Sequence, residues 1–312
     1  MPGLFKSLAS SVDWIHRYHT RTGRPDCSLV SCPGTKPLWQ QLLRRRAGAF
    51  LHGQFYCRPE CLETALLGQL SRLRTMVPSM QPPNRFPLGL LMVARGKLTH
   101  AEVRAALEAQ RKAGSGSIGD WIEKLGFASE QDVTAALALQ WGCPVASSFD
   151  NAVVDSVANI PLGILETFQM IPFNYTPATN TLSLAFGSRV DHAALYAIER
   201  ILDCRTQPCV APSRKVARQL EYMRQFPRPH DVEFSTQDLA EMARITSSYV
   251  SRLSPDDVRL SRIGRFIWLR LKTCKAVTNL LFRLQPNSPM PHHPSPPLLR
   301  AAGQAPLSTT SV

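Results

Sequence analysis

PLGLLMVARGKLTHAEVRAALEAQ (residues 87–110) and SIGDWIEKLGFASEQDVTAALALQ (residues 117–140) are two copies of one 24-residue pattern. Gly89, Gly96, Val103, Leu107 and Gln110 return thirty residues later as Gly119, Gly126, Val133, Leu137 and Gln140. Five coincidences at one constant offset mark an internal repeat. In each copy a short apolar segment runs to a glycine, Gly96 or Gly126, suited to a left-handed helix end. Thr99 or Ser129 then stands at an N-cap, with Glu102 or Asp132 three residues on, which is the spacing of a capping box. The second helices, THAEVRAALEAQ and SEQDVTAALALQ, carry Val103, Ala106 and Leu107, or Val133, Ala136 and Leu137, on one face. Each copy predicts a helical hairpin, and the spacer RKAGSG joins the two.

The chain around this repeat has 312 residues, enough for a sizeable core and about two domains, and its 44% hydrophobic content argues against global disorder. Lys and Arg outnumber Asp and Glu by 36 to 23, a formal charge of +13 that favours anionic partners such as nucleic acid, nucleotides or acidic lipid. A soluble protein with an Arg-rich surface has the same balance. The opening MPGLFKSLASSVDWIHRYH breaks any apolar run with Ser, Asp and His, so no secretory leader is expected. No apolar run approaches the roughly 20 residues of a membrane span. A cytoplasmic location follows as the expectation, with the eight cysteines acting as metal ligands or buried thiols.

Upstream of the repeat, Cys27-x4-Cys32 is followed after 24 residues by Cys57-x3-Cys61. Two short cysteine pairs separated by a helix-like stretch, residues 37–50, are a way of bringing four thiolates to one tetrahedral zinc. SCPGTK and YCRPEC supply the Pro and Gly turns that let a chain wrap a metal, and the second Cys of YCRPECLETALL would enter a helix. Unligated cytosolic thiols are the plain alternative, and His52 is a spare ligand candidate. LETALLGQLSRL places Leu62, Leu66, Leu70 and Leu73 on one stripe, read as core. The linker VPSMQPPNRFP has four prolines in residues 77–87 and marks a boundary.

Downstream, the pattern changes after Trp141-Gly142-Cys143-Pro144. FQMIPFNYTPA and NTLSLAFGS read as strands with Asn180 at their turn, HAALYAIERIL as a helix, RTQPCVAPS as a strand and RKVARQLEYMRQF as a helix. TQDLAEMARITSSYVSRL, residues 236–253, has the apolar spacing of a helix-turn-helix, which would set Thr246, Ser247, Ser248 and Arg252 against DNA. Two ordinary packed short helices have the same spacing. Residues 258–284 hold seven basic residues and no acidic one; RFIWLRLK reads as a strand and KAVTNLLFRL as a helix. From residue 286 the chain is Pro- and Ser-rich and is expected to be disordered.

The tandem copies resemble the N-terminal domain of type II secretion and type IV pilus assembly ATPases, the GspE/MshE-type domain, whose pattern is Arg-Leu-Gly, aliphatics, Gly, aliphatics and a closing Gln, written twice. The resemblance covers residues 85–225, because NIPLGILETFQMIPFNYTPATNTLSLAF sits where the family has a proline-led helix and paired strands. It implies a protein partner in secretion, pilus or signalling machinery and, as in some members, cyclic di-GMP as a ligand. Carried over by position, the nucleotide-binding candidates are Leu88, Gly89 and Gln110, then Ile118, Gly119 and Gln140. The motif's opening Arg is Pro87 in one copy and Ser117 in the other, with Arg85 close enough to substitute; Lys97 and Glu123 replace aliphatic residues.

No G-x4-G-K-[ST], G-x-S-x-G or H-E-x-x-H occurs, so the expectation is a non-enzyme. The fold expected is α+β: a tandem helical-hairpin repeat followed by a small α/β sandwich, flanked by an N-terminal zinc-knuckle module and a helical, basic C-terminal region. The divisions are 1–76 for the cysteine module, 77–86 for the linker, 87–143 for the repeat, 144–226 for the α+β subdomain, 227–285 for the basic region and 286–312 for the tail. The leading function is a non-catalytic adaptor or regulator acting through protein contacts, with weak cyclic di-GMP binding. The alternative is a zinc-containing DNA-binding regulator.

Overall fold

A computed structural model describes residues 26–32, 48–75, 85–146, 159–226, 228 and 230–284. The helix-like stretch expected over 37–50 falls mostly outside these residues, as do most of the linker and the tail from 286. The architecture is mixed helix and strand, in the α+β class.

The chain enters through a hairpin of β1 (Ala49–Leu51) and β2 (Gln54–Tyr56), turned at His52 and Gly53, both at positive φ. Helix α1 (Pro59–Thr75) follows and buries the expected stripe of Leu62, Leu66, Leu70 and Leu73. Burial of this kind is worth about 1.5–3 kcal/mol for each leucine.

Four short helices come next: α2 (Leu88–Ala94), α3 (His100–Ala113), α4 (Ile118–Lys124) and α5 (Glu130–Trp141). Thr99 caps α3 in a full capping box with Glu102, and Ser129 caps α5 by accepting from the Asp132 N–H. Gly96 and Gly126 turn at φ of 68° and 72° between the helices of each pair. The four helices share a small core of Leu88, Met92, Leu98, Val103, Ala106, Ile122, Val133 and Ala136.

Helix α6 (Leu162–Phe168) leads to strands β3 (Met170–Thr176) and β4 (Thr181–Phe186), antiparallel to each other. Asn180 takes φ 50° at their turn. Helix α7 (His192–Leu202) crosses to β5 (Arg205–Val210), parallel to β4, and α8 (Ser213–Arg224) completes the layer. The three strands run in the order β3-β4-β5.

The remaining elements are β6 (Asp231–Phe234), α9 (Leu239–Leu253), β7 (Asp257–Ile263), β8 (Phe266–Lys272) and β9 (Val277–Arg283). They complete a six-stranded sheet in the order β2-β1-β7-β8-β9-β6. The N-terminal hairpin joins it by parallel pairing of Leu51 with Val258, and the His52 N–H donates to the Val258 carbonyl at 2.9 Å. Residues 49–75 and 231–283 therefore share one sheet, and residues 85–226 lie between them in sequence as an insertion. One face of the sheet packs Ile267, Leu269, Leu271, Leu280 and Phe282 against α1 and α9. The other turns Ile263, Phe266, Trp268 and Leu281 into the core around β3, β4 and β5.

Two expectations for the C-terminal region are overturned. Residues 239–253 form one helix, not a helix-turn-helix. Leu239, Ala243, Thr246 and Val250 recur at helical spacing, so the stripe runs unbroken past Arg244, and Asp238 caps the start by accepting from the Ala240 N–H. Of the proposed DNA-contacting residues, Thr246 and Ser247 are buried and the Thr246 hydroxyl donates to the Met242 carbonyl; Ser248 is exposed, and Arg252 lies over the Tyr249 ring. The second correction concerns KAVTNLLFRL, which is strand β9 rather than helix, so the basic region is largely a three-stranded meander. Both faces of β9 are covered, and a strand buried on both faces loses the alternation that would identify it.

Candidate functional site

The four cysteines meet at the edge of the six-stranded sheet. The Ser28 N–H donates to the Phe55 carbonyl of β2 at 2.8 Å, which fastens the first pair beside the hairpin, and a turn closed by the Cys32 N–H on Leu29 brings Cys32 round. Cys57 follows β2 directly. Cys61 lies in the first turn of α1, which opens on Pro59, a residue suited to that position because it has no N–H to leave unpaired. The ligand atoms of Cys27, Cys32, Cys57 and Cys61 all lie within 4.8 Å of one another. Cys32 and Cys57 sulfurs are 3.5 Å apart, and Cys61 and Cys32 sulfurs 3.7 Å.

A tetrahedron of thiolates about zinc, with Zn–S near 2.3 Å, has edges of about 3.8 Å, so these separations are of the right size. They are far longer than the roughly 2.05 Å of a disulfide. Burial pushes the Cys61 thiol up to about 12 and also raises Cys57, with the neighbouring sulfurs adding to both shifts. Burial opposes ionisation of Cys27 too, but backbone hydrogen bonds from Cys57 and Leu29, with the nearby thiols, hold it below the ordinary value. Such crowding of soft donors is relieved by a divalent cation. Four protein donors would fill a tetrahedral shell, as in a structural site. His52 stands outside this cluster: its Nε2 lies 3.1 Å from both the N–H and the carbonyl of Leu260, and burial lowers its pKa.

The tandem module gives each nucleotide candidate an internal neighbour. Leu88, Gly89 and Gly119 are buried, and Ile118 packs partly buried against the same core. A Cβ on Gly89 would stand 2.8 Å from Val103 Cγ1, and one on Gly119 would stand 3.0 Å from Val133 Cγ1. The repeated Gly and Val are thus the two sides of one close helix crossing, used twice. Gln110 closes the first copy and donates to the Gly116 carbonyl, just before the second copy, at 2.9 Å. Gln140 closes the second and donates to the Phe86 carbonyl, just before the first, at 2.8 Å. Each copy's last side chain fastens the other copy's entry.

Ser117, which stands where the motif has Arg, forms a capping box with Asp120; the S-x-x-D spacing made this bond readable in the sequence. Lys97 pairs with Asp132 at 2.7 Å, joining the copies, and Glu123 reaches Arg214 of α8 at 4.0 Å. Arg85 lies over the Trp141 ring at 3.8 Å and donates from Nη1 to the Gln140 carbonyl at 2.8 Å. Its Nε and the Trp141 Nε1 are buried without an acceptor among the described residues. Nothing in the sequence pointed to Trp141 in this role.

Fold and site together define an α+β protein with a four-thiol cluster and a tandem helical module. No protein-family model and no curated protein matches the chain. Among solved structures it is similar to MshE with cyclic di-GMP, at 28% identity over 44% of this chain and 99% of that one, with a TM-score of 0.37. It is also similar to the N-terminal domain of XpsE in two crystal forms. One form has 18% identity over 43% of this chain and 91% of that one, with a TM-score of 0.33. The other has 19% identity over 42% and 89%, with a TM-score of 0.27. The likeness is to GspE/MshE-type N-terminal domains and spans less than half of the chain; at these scores it transfers no function. No helix among the described residues is long and apolar enough to cross a membrane.

Proposed function

We propose that the chain is a non-catalytic adaptor that works through protein contacts in secretion, pilus or related signalling machinery, with one structural zinc on Cys27, Cys32, Cys57 and Cys61. The observation that carries the adaptor reading is that the tandem module is closed on itself yet leaves large apolar side chains outside. Its glycines and glutamines serve its own packing. Phe86, Leu90, Leu107, Leu125 and Leu139 are all exposed, Phe86 by 57% and Leu139 by 50%. A module with a preformed core and uncovered apolar side chains is suited to present a surface rather than to transform a substrate.

Cyclic di-GMP is supported at one place, the two buried N–H donors of Arg85 and Trp141 that lack an acceptor. Two absent motif arginines, at about 1.5–3 kcal/mol per charged hydrogen bond, would reduce affinity by several orders of magnitude, so binding is weak. Calorimetry should give a dissociation constant in the high micromolar range or weaker, removed by Arg85→Ala. Affinity capture from the native cell tests the adaptor reading. A specific component should be retained by the full chain and lost with Leu90→Asp or Leu139→Asp; identical captures from all three proteins would sink it. Elemental analysis of protein purified without chelator should find about one zinc per chain.

A further inference from the structure

We infer that the outer face of α8 is a docking surface for an acidic segment of a partner protein, one that carries an apolar side chain at one end. This rests on the adaptor reading and names where a partner would sit. The inner face of α8 is fully used, with Val216, Leu220 and Met223 in the core. On its outer face Arg214, Arg218, Tyr222 and Phe226 follow one another at intervals of four, and all four are exposed. Residues four apart are neighbours on a helix surface, so this is one stripe, about 18 Å long at 1.5 Å per residue.

Its two halves differ in chemistry. Lys215 and Arg218 form no ion pair among the described residues, and Arg214 has only the 4.0 Å approach of Glu123. The other half is a pair of rings, Tyr222 and Phe226, 50% and 52% exposed, with centroids 4.9 Å apart at 66°. Phe226 also lines a cleft of about 370 Å³ between α6 and β6, with Leu162, Gly163 and Arg228. Carboxylates laid along the cationic half would bring a following aliphatic or aromatic side chain to the rings and the mouth of that cleft.

Charge complementarity selects a protein over the other anions. Glu221, beside Tyr222 on the same face, has an exposed carboxylate, and Glu166 stands next to Arg224. Fixed carboxylates within the stripe repel a continuous phosphate backbone or an anionic lipid sheet, whereas a peptide can space its charges around them. The rings meet edge to face and present no parallel pair of faces for successive bases. The chain itself has little to offer as a cover. Beyond the described residues its only acidic side chains are Asp13, Asp150 and Asp155, against a formal charge of +13.

The test uses the full chain in its native cell with a photoreactive benzoylphenylalanine at position 222, and a control chain carrying it at position 196, where Tyr196 is 62% exposed on α7. Position 222, but not 196, should crosslink to a protein peptide rich in Asp and Glu. Lys215→Glu with Arg218→Glu should cut the yield at least tenfold, and Lys substitutions in the partner's acidic peptide should restore it. The inference is overturned by crosslinks to nucleic acid, to lipid or to residues 147–158 of this chain, by no crosslink at all, or by a yield indifferent to charge reversal. If capture still depends on Leu90 or Leu139 while position 222 stays silent, the adaptor reading stands and only this surface fails. Failure of both removes the adaptor as well.

Discussion

The side-chain bonds that close the tandem module join Gln110 to Gly116, six positions apart, and Gln140 to Phe86, 54 apart, whereas His52 reaches Leu260 across 208 positions and Arg262 reaches the Leu73 carbonyl across 189. The module is assembled from neighbours. The six-stranded sheet is assembled from two ends of a chain with the module and its α/β layer strung between them. Closing a long loop costs conformational entropy before any contact is gained, so the sheet needs stronger closure than local helix pairs do. Three devices supply it: the Leu51–Val258 pairing, the Arg262 guanidinium on the last carbonyls of α1, and the cysteine cluster, whose sulfurs pack against the same core as β7, β8 and β9.

The largest effect should therefore come from the metal. Structural zinc contributes roughly 10–16 kcal/mol of binding free energy in small modules, and losing a ligand forfeits a large part of it. Cys61→Ser, or chelation of the wild type, should release β1, β2 and α1 while the tandem module stays folded. Hydrogen exchange reads both regions in one experiment. Loss of protection shared equally by residues 88–141 would break the comparison, because it would make the two regions one cooperative unit.

Asn279 should rank next. It is fully buried, accepts from Trp268 Nε1 at 2.9 Å, and donates to Asp231 at 2.7 Å and to the Asn159 carbonyl at 3.1 Å. Asn279→Ala leaves these partners buried without it, at a cost of about 2–3 kcal/mol by denaturant titration. The cost should depend on pH. Burial raises the Asp231 pKa, while the Asn279 bond and the charges of Arg228 and Arg270 oppose the rise. A folded-state pKa above the unfolded one means that Asp231 favours folding most fully below the unfolded value of about 3.9, and that this benefit is lost as pH rises through the folded one. Without Asn279 that pKa climbs further, so the deficit should be larger at neutral pH than near pH 4. A deficit independent of pH would remove Asp231 from the account.

The same contrast explains what could be read in the sequence. Capping boxes, turn glycines and the Val103/Val133 faces are local signals, and the two helical pairs were legible from them. The cysteine pairs were legible as a spacing, and the fold brings all four together. The sheet was not legible, because its order depends on partners nearly two hundred residues away. Strand β8 was readable from RFIWLRLK, but β9 is apolar on both faces and α9 shows the same spacing as two short helices. The motif residues misled in a different way. Gly89, Gly119, Gln110 and Gln140 resembled ligand contacts, and the repeat uses them for its own closure.

Within the module the comparison becomes finer. Gly89→Ala places a methyl 2.8 Å from Val103 Cγ1, and Gly119→Ala places one 3.0 Å from Val133 Cγ1. Both overpack a helix crossing, at about 1–3 kcal/mol, and the closer contact should cost more. Thermal melts of each variant, and of each paired with Val→Ala at its partner, separate overpacking from a general effect of alanine. If Val103→Ala does not rescue Gly89→Ala, the close crossing is not what the glycine serves.

The smallest effects should belong to the closing glutamines, and they test the symmetry of the repeat most directly. Each donates one neutral hydrogen bond to a carbonyl near the surface, worth about 0.5–1 kcal/mol. Taken alone, Gln110→Ala and Gln140→Ala should be similar in stability. Their consequences in space should differ, because Gln110 holds a spacer within the module and Gln140 holds the entry of the whole inserted region at Phe86. Arg85 donates to the Gln140 carbonyl and lies over Trp141, so loosening Phe86 also loosens that guanidinium. Gln140→Ala should then change the fluorescence of Trp141, read in a chain whose other tryptophans are replaced by Phe, while Gln110→Ala leaves it unaltered. Equal changes from both would mean that the Arg85–Trp141 contact is held by the module as a whole rather than by the entry bond.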